Sequence, residues 1–412
     1  MKKTVDNQFN SGDIIEMRAY SKMFKNEIVI FRAYIYGDIT EELLQTIGII
    51  DTLPLSGKIS PTIHIIGNVK PFHSKLIQIS PADPHQWNDI KSLKDKVVFI
   101  LIHGINPEEI LSPDPDQYDI WMTPYKYHVW NTAHNAIYGN IENSVIIHYI
   151  YPSSMERLKE NAEQLLDLLQ RTDIDKAKSV FMIGHSMGGL VIRKALQRSQ
   201  WLRDITTHVF TLNTPHRGSP LASLMFAPKD FWENIESSAS EENYGKIMAM
   251  KMAIVMTYHN AGIMSQGYLD LRWDHLDNLS PFPLMISKDI YNLNMNEEYH
   301  EYSFTMSLIP RKNLVYPIMK IVDKLYYEPK DHIGLIMMQM LMEMFGDIIG
   351  TGLWYEGDGL VPISSQIPVK YIEYDFTFNT IGPFKGDHID IFTNRGVWRK
   401  LMDTVVTILE NL

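Results

Sequence analysis

Residues 179–190 read SVFMIGHSMGGL. The apolar run at 180–183 suits a strand buried on both faces, and it ends in Gly184-His185-Ser186-Met187-Gly188, a G-x-S-x-G pentapeptide. A serine hydroxyl is a weak nucleophile until a neighbouring base takes its proton. The pattern answers that need by holding the serine on a sharp, exposed strand-to-helix turn. Glycines two positions before and after the serine let the chain make the turn, because they bring no Cβ into it. The pentapeptide alone is a weak signal; a buried strand before it and a helix expected at 190–197 make it specific.

On either side of this stretch, strands alternate with helices. Upstream, VVFILI at 97–102 is another continuous apolar run and ends in His103-Gly104-Ile105-Asn106, and a further strand is expected at 145–150. Ser153 or Ser154 is placed to cap an amphipathic helix over 155–169. Downstream, a strand at 208–212 feeds Asn213-Thr214-Pro215-His216-Arg217-Gly218-Ser219, strands are expected at 299–308 and 369–378, and a closing helix at 397–409. The alternation predicts an α/β domain over 93–412, with a mostly parallel central sheet covered on both faces.

Two stretches interrupt the alternation, at about 220–298 and 310–355. Both are rich in methionine, as in KIMAMKMAIVM and LIMMQMLMEMF. Methionine commonly just fills irregular gaps in a core, but its unbranched, polarizable side chain also adapts to varied ligands. Both insertions fall at the edge where the candidate residues converge, so a helical cap built from the two is expected. Residues 1–92 carry short β-branched and aromatic runs separated by turns, and read as a small β-rich N-terminal extension ending near the linker-like 80–84.

Composition bounds the function. The chain has 412 residues, 45% hydrophobic and 11% aromatic, enough for a sizeable core. A net charge of −11 without a long basic run argues against nucleic acid as a partner. With no cysteine there is no thiol nucleophile, thiolate metal site or disulfide. No apolar run approaches the roughly 20 residues that span a bilayer. The start, MKKTVDNQFNSG, is polar where the apolar core of an export signal would follow. The expected compartment is therefore cytoplasmic if Met1 is the native start, and extracellular if a signal peptide was removed.

Ser186 needs a base, and the base an acid to orient it. Where the nucleophile sits on such a turn, the order along the chain is serine, acid, histidine. Asp358, in the turn EGDGLVP, and His388, in GDHID, satisfy the order, each in a glycine-flanked loop after an expected strand. Glu356, Asp331 and Asp375 are rival acids. His332 and His300 precede Asp358 and break the order. A developing oxyanion needs N–H donors, which the backbones of Met187 and Ile105 would supply. Metal signals are weak: Asp390 lies two residues after His388, and Asp270, Asp274, His275 and Asp277 cluster in DLRWDHLD, without a recognised ligand spacing. Nucleotide-binding glycine motifs are missing from the sequence.

With HG at 103–104, GHSMGG at 184–189, NTPHRGS at 213–219, GDGLVP at 357–362 and DHID at 387–390, the chain resembles bacterial lipases of the α/β-hydrolase superfamily. It is most similar to the group with a T-P-H-x-G-[ST] loop, related to triacylglycerol lipases and inositol-deacylase-like hydrolases. The resemblance implies Ser186 as nucleophile, Asp358 as acid, His388 as base, and Ile105 and Met187 as oxyanion donors. It also implies that no cofactor is required, with calcium as a weak candidate at Asp390, the position matching a calcium ligand in some relatives. The expected activity is hydrolysis of small-molecule or lipid carboxylic esters, with transient contact at a lipid surface. A phospholipase or acyltransferase would use the same triad. A non-catalytic binding protein on a hydrolase scaffold is the remote alternative.

Overall fold

In the computed structural model, Val98, Ile100 and Ile102 pack into one apolar layer, and Val97, Phe99 and Leu101 into another. Successive side chains of a strand point to opposite faces, so a run apolar at both parities belongs between two helical layers. The structure describes residues 10, 12–21, 26–34, 62–68, 74–81, 87–105, 130–219, 222–223, 229–238, 244–245, 247, 266–272, 287–294, 304–307, 358, 360–366, 379–382, 384, 388 and 390–412.

The strands are β1 (Asp13–Ser21), β2 (Asn26–Tyr34), β3 (Thr62–Asn68), β4 (Lys75–Ile79), β5 (Trp87–Asn88), β6 (Val97–Ile102), β7 (Ser144–Ile150), β8 (Ser179–His185), β9 (His208–Leu212), β10 (Phe304–Ser307) and β11 (Asn379–Ile381). The helices are α1 (Asn131–Asn140), α2 (Leu158–Gln170), α3 (Met187–Arg198), α4 (Gln200–Ile205), α5 (Lys229–Ser238), α6 (Gln266–Asp270), α7 (Lys288–Asn294), α8 (Ile363–Gln366) and α9 (Arg395–Glu410).

Among the described residues, eight strands form one sheet in the order β11-β10-β9-β8-β6-β7-β4-β5. From β7 across to β11 every neighbouring pair is parallel, while β4 runs antiparallel to both β7 and β5. Parallel neighbours require crossovers, and α1, α2 and the α3–α4 pair supply them between β6, β7, β8 and β9. On one face, Val180, Met182 and Val209 pack with Leu158 and Leu165 of α2 and Leu190 and Val191 of α3. On the other, Phe99, Phe181 and Phe210 pack with Ile137 of α1 and Trp398, Leu401 and Val405 of α9. The Phe99 and Phe181 rings stack at 5.2 Å. Burying each such side chain contributes about 2 kcal/mol, so the two layers fix β6, β8 and β9 in place. Their C-terminal ends lie at one edge of the sheet, where His103, Ser186 and Asn213 directly follow them.

Three expectations are corrected or shifted. Residues 75–79 and 87–88, assigned from sequence to the 1–92 extension, are hydrogen-bonded into the large sheet through the β4–β7 pair. A short alternating strand does not carry in its own sequence which sheet it joins. Among the described residues, β1, β2 and β3 form a separate antiparallel sheet, in the order β2-β1-β3. The second correction concerns Ser153 and Ser154, which do not cap α2: the helix starts at Leu158 and both serines are buried in the preceding turn. The third is that α3 begins at Met187, immediately after the serine, three residues before the expected start. Of the expected cap, α5, α6 and α7 fall within 220–298, whereas 310–355 and the strand expected at 369–378 lie outside the described residues.

Candidate active site

Strand β8 ends at His185, and Ser186 turns the chain with φ 53° and ψ −127°. A non-glycine residue in this region is strained by about 1–3 kcal/mol and persists only when its surroundings hold it there. Here the Ser186 N–H donates to the Leu212 carbonyl on β9 at 2.8 Å, and its own carbonyl accepts from Gly189 N–H at 3.1 Å. A Cβ on Gly188 would stand 2.3 Å from the Ile102 carbonyl oxygen, so only glycine lets α3 approach the end of β6 this closely.

Asp358 and His388 meet. His388 Nδ1 lies 2.6 Å from Asp358 Oδ2, and the His388 backbone N–H donates to the Asp358 carbonyl at 2.9 Å. Asp358 is fully buried, and its other carboxylate oxygen accepts from the N–H groups of Leu360 at 3.0 Å and Val361 at 2.8 Å. A carboxylate so held accepts from Nδ1–H, which leaves Nε2 of the neutral ring with a lone pair. The rival residues Glu356, Asp331, Asp375, His332 and His300 lie outside the described residues.

His185 ties this pair to the turn. Its Nε2 donates to the His388 carbonyl at 3.0 Å, and the two rings lie 4.8 Å apart. Burial, and then the proximity of His388, holds the His185 pKa well below the usual histidine value, so the ring is neutral. The loop after β6 closes over the same place: a Cβ on Gly104 would fall 2.7 Å from Ser186 Cβ. Gly104 therefore stands against the serine, with Ile105 next in the chain and Met187 opening α3 on the other side.

The NTPHRGS loop braces the acid turn. Fully buried His216 accepts from Arg193 at Nδ1, 2.9 Å away, and its Nε2 lies 3.1 Å from Thr211 Oγ1. Its backbone N–H donates to the Ser365 carbonyl at 2.8 Å, and its carbonyl accepts from Asn294 Nδ2 of α7 at 2.8 Å. Ser219 Oγ donates to the Leu360 carbonyl at 2.9 Å, two residues past Asp358. The sequence flagged this loop as a motif without a task; its bonds give it one, joining β9, α3, α7 and the 358–366 turn.

Sequence reasoning missed Arg157, His185 and Tyr151, and read Asp270 only as part of an Asp-rich loop. Asp270 is fully buried; it pairs with Arg157 Nη2 at 2.6 Å and accepts from the Leu158 N–H at 2.7 Å, so it supplies the cap of α2 that the serines do not. Asp289 of α7 joins at 2.9 Å from the same guanidinium nitrogen. These partners are more than a hundred residues apart in the chain, beyond any local pattern. Among the described residues no group of three acidic or histidine side chains is arranged to hold a metal ion, and Asp270, one of the acidic residues flagged in the sequence, is paired with Arg157.

The strand order, with β4 antiparallel to its neighbours, and the serine turn after β8 define an α/β-hydrolase fold. Residues 131–306, from α1 to β10, match the family of the PGAP1-like alpha/beta domain. A GPI inositol-deacylase of Debaryomyces hansenii is 21% identical over 209 residues, 49% of this chain; the chain spans about a fifth (19%) of that relative's length. The mature Bacillus licheniformis lipase BlEst2 superposes with a TM-score of 0.42 at 14% identity, over 76% of this chain and 93% of that one. The metagenomic carboxyl esterase MGS0156 gives 0.35 at 11%, over 78% of each chain.

Proposed function

We propose that the protein is a serine hydrolase that cleaves carboxylic esters of lipid-like substrates through an acyl-enzyme. The observation that carries this reading is the buried Asp358–His388 pair, 2.6 Å apart, beside the strained turn of Ser186. The similarity to a GPI inositol-deacylase favours an acyl ester of a lipid as the substrate class.

In this reading, His388 Nε2 takes the Ser186 proton as Oγ bonds to the ester carbonyl carbon, and the carbonyl oxygen becomes an oxyanion held by the N–H groups of Met187 and Ile105. The oxyanion collapses, the carbon–oxygen bond to the alcohol breaks, and His388 gives its proton to the departing oxygen. Water then repeats the sequence on the acyl-enzyme: His388 takes its proton, hydroxide adds to the acyl carbon, and Ser186 leaves with the proton returned. Asp358 keeps Nδ1 protonated and stabilises the imidazolium that forms twice per turnover. None of these steps calls on a metal, so EDTA should leave the rate unchanged. The substrate arrives as a small-molecule or lipid ester, from solution or by brief contact with a lipid surface.

Ser186→Ala should abolish both p-nitrophenyl ester hydrolysis and labelling by a fluorophosphonate probe. Retention of full activity by that variant overturns the reading. The lipid assignment predicts medium or long acyl chains preferred over acetate; a strong preference for acetate would point to a short-chain esterase instead.

A further inference from the structure

The loop that carries Ile105 has two successive carbonyls, and both are tied down on one side. The Tyr151 hydroxyl donates to the His103 carbonyl at 2.7 Å. His103 Nδ1 donates to the Gly104 carbonyl at 2.6 Å. The Tyr151 and His103 rings stack at 4.2 Å with 17° between their planes, and both residues are buried. In a trans peptide the C=O and the N–H point in opposite directions. Fixing the Gly104 carbonyl therefore aims the Ile105 N–H away from the His103 ring, and fixing the His103 carbonyl aims the Gly104 N–H away from the Tyr151 hydroxyl. Gly104 itself stands against Ser186. Tyr151 sits immediately after β7, the strand paired with β6, so the clamp is founded on the sheet and not on the loop.

We propose that Tyr151 is a positioning residue for the oxyanion site: it holds the His103 carbonyl and stacks on the His103 ring, and through that ring it fixes the direction of the Ile105 N–H. Tyr151 touches no reacting atom in this scheme. Its contribution is to keep a donor in the orientation the developing oxyanion needs before the substrate arrives, so no reorganisation is required during the reaction. The inference rests on the serine-hydrolase reading of Ser186.

The test is Tyr151→Phe, which removes the hydroxyl and leaves the stacking ring. It is measured with a p-nitrophenyl ester and with an alkyl trifluoromethyl ketone. The ketone reports on the oxyanion: Ser186 Oγ adds to its carbonyl carbon, the proton passes to His388, and the carbonyl oxygen becomes negative. Loss of a whole oxyanion donor costs about a hundredfold or more in kcat; loss of its positioning should cost about tenfold. Tyr151→Phe should therefore lower kcat about tenfold, leave KM within about twofold, and weaken the ketone by the same factor as kcat/KM.

Tyr149→Phe is the control. It removes a neighbouring buried hydroxyl bonded to the Asn161 carbonyl at 2.7 Å, on a ring stacked 5.0 Å from Tyr151, and should leave ketone affinity and kcat unchanged. Equal losses in the two variants, or wild-type ketone affinity in Tyr151→Phe, overturn the proposal. If Tyr151→Phe does not fold, His103→Asn carries the test: the short amide cannot stack on Tyr151, and unchanged ketone affinity overturns the proposal. Wild-type protein inert to ester and ketone would sink the serine-hydrolase reading instead, so the two failures are told apart.

Discussion

His185 Nε2–H donates to the backbone carbonyl of His388 at 3.0 Å, so the residue just before the serine holds the loop that carries the histidine. The bond makes a testable demand on the proposed chemistry. His185→Phe keeps a ring against Phe392, now 4.4 Å away, but removes the donor. Its kcat should fall about tenfold, roughly 1.4 kcal/mol, with KM nearly unchanged, because a loosened base is mispositioned without altering substrate contacts. His185→Gln, which retains an N–H donor, should recover part of the loss. A wild-type kcat in His185→Phe would show that the bond positions nothing.

Asp270 serves α2 in two ways, and two variants separate them. Asp270→Asn can still accept from the Leu158 N–H but cannot form an ion pair with Arg157; it should cost about 1–2 kcal/mol, discounted because Arg157 is partly solvated. Asp270→Ala loses the cap as well and should cost about 3 kcal/mol in all. Urea midpoints measure both. An alanine variant within about half a kcal/mol of wild type would contradict the role assigned to this carboxylate.

Buried histidines should make the fold sensitive to mild acid. His134 Nε2 lies 2.7 Å from His148 Nε2, and burial lowers the His134 pKa from 6.5 to about 3. In the unfolded chain the group binds its proton near pH 6.5, whereas the folded protein resists binding until about pH 3. Stability is therefore lost as pH falls between those values, at up to about 1.4 kcal/mol per pH unit from this group. Chemical denaturation of wild type and His134→Leu between pH 7 and pH 4 should show a shallower slope in the variant; identical slopes would refute the assignment.

The sequence revealed the parts of this fold that depend on local pattern. Strands β6, β8 and β9 were legible because VVFILI, SVFMI and HVFTL are apolar at both parities, and burial on two faces leaves that imprint. The serine turn was legible because a steric demand at Gly188 leaves few residue choices. The Asp358–His388 pair was reached from chain order alone, a rule that says which loops converge but not how tightly. What stayed hidden depends on contacts between distant segments. The Asp270 cap could not be seen beside the nearer Ser153 and Ser154, since capping residues are sought within a turn of the helix start. Tyr151 and His185 looked like ordinary residues of a strand end and a motif. Their tasks follow from which carbonyl each hydrogen atom meets, and no periodicity encodes that.

The Asp270–Leu158 bond also bears on how the chain is assembled. It spans 112 positions, so the first turn of α2 is closed by a residue made long after the helix itself. A chain emerging from a ribosome completes β6, β7, β8 and β9 before Asp270 exists. The helix must wait, its opening amides in water, until the later segment folds back and latches it. The start of α2 is thus completed by the insertion, and a chain truncated before residue 270 would lack the latch.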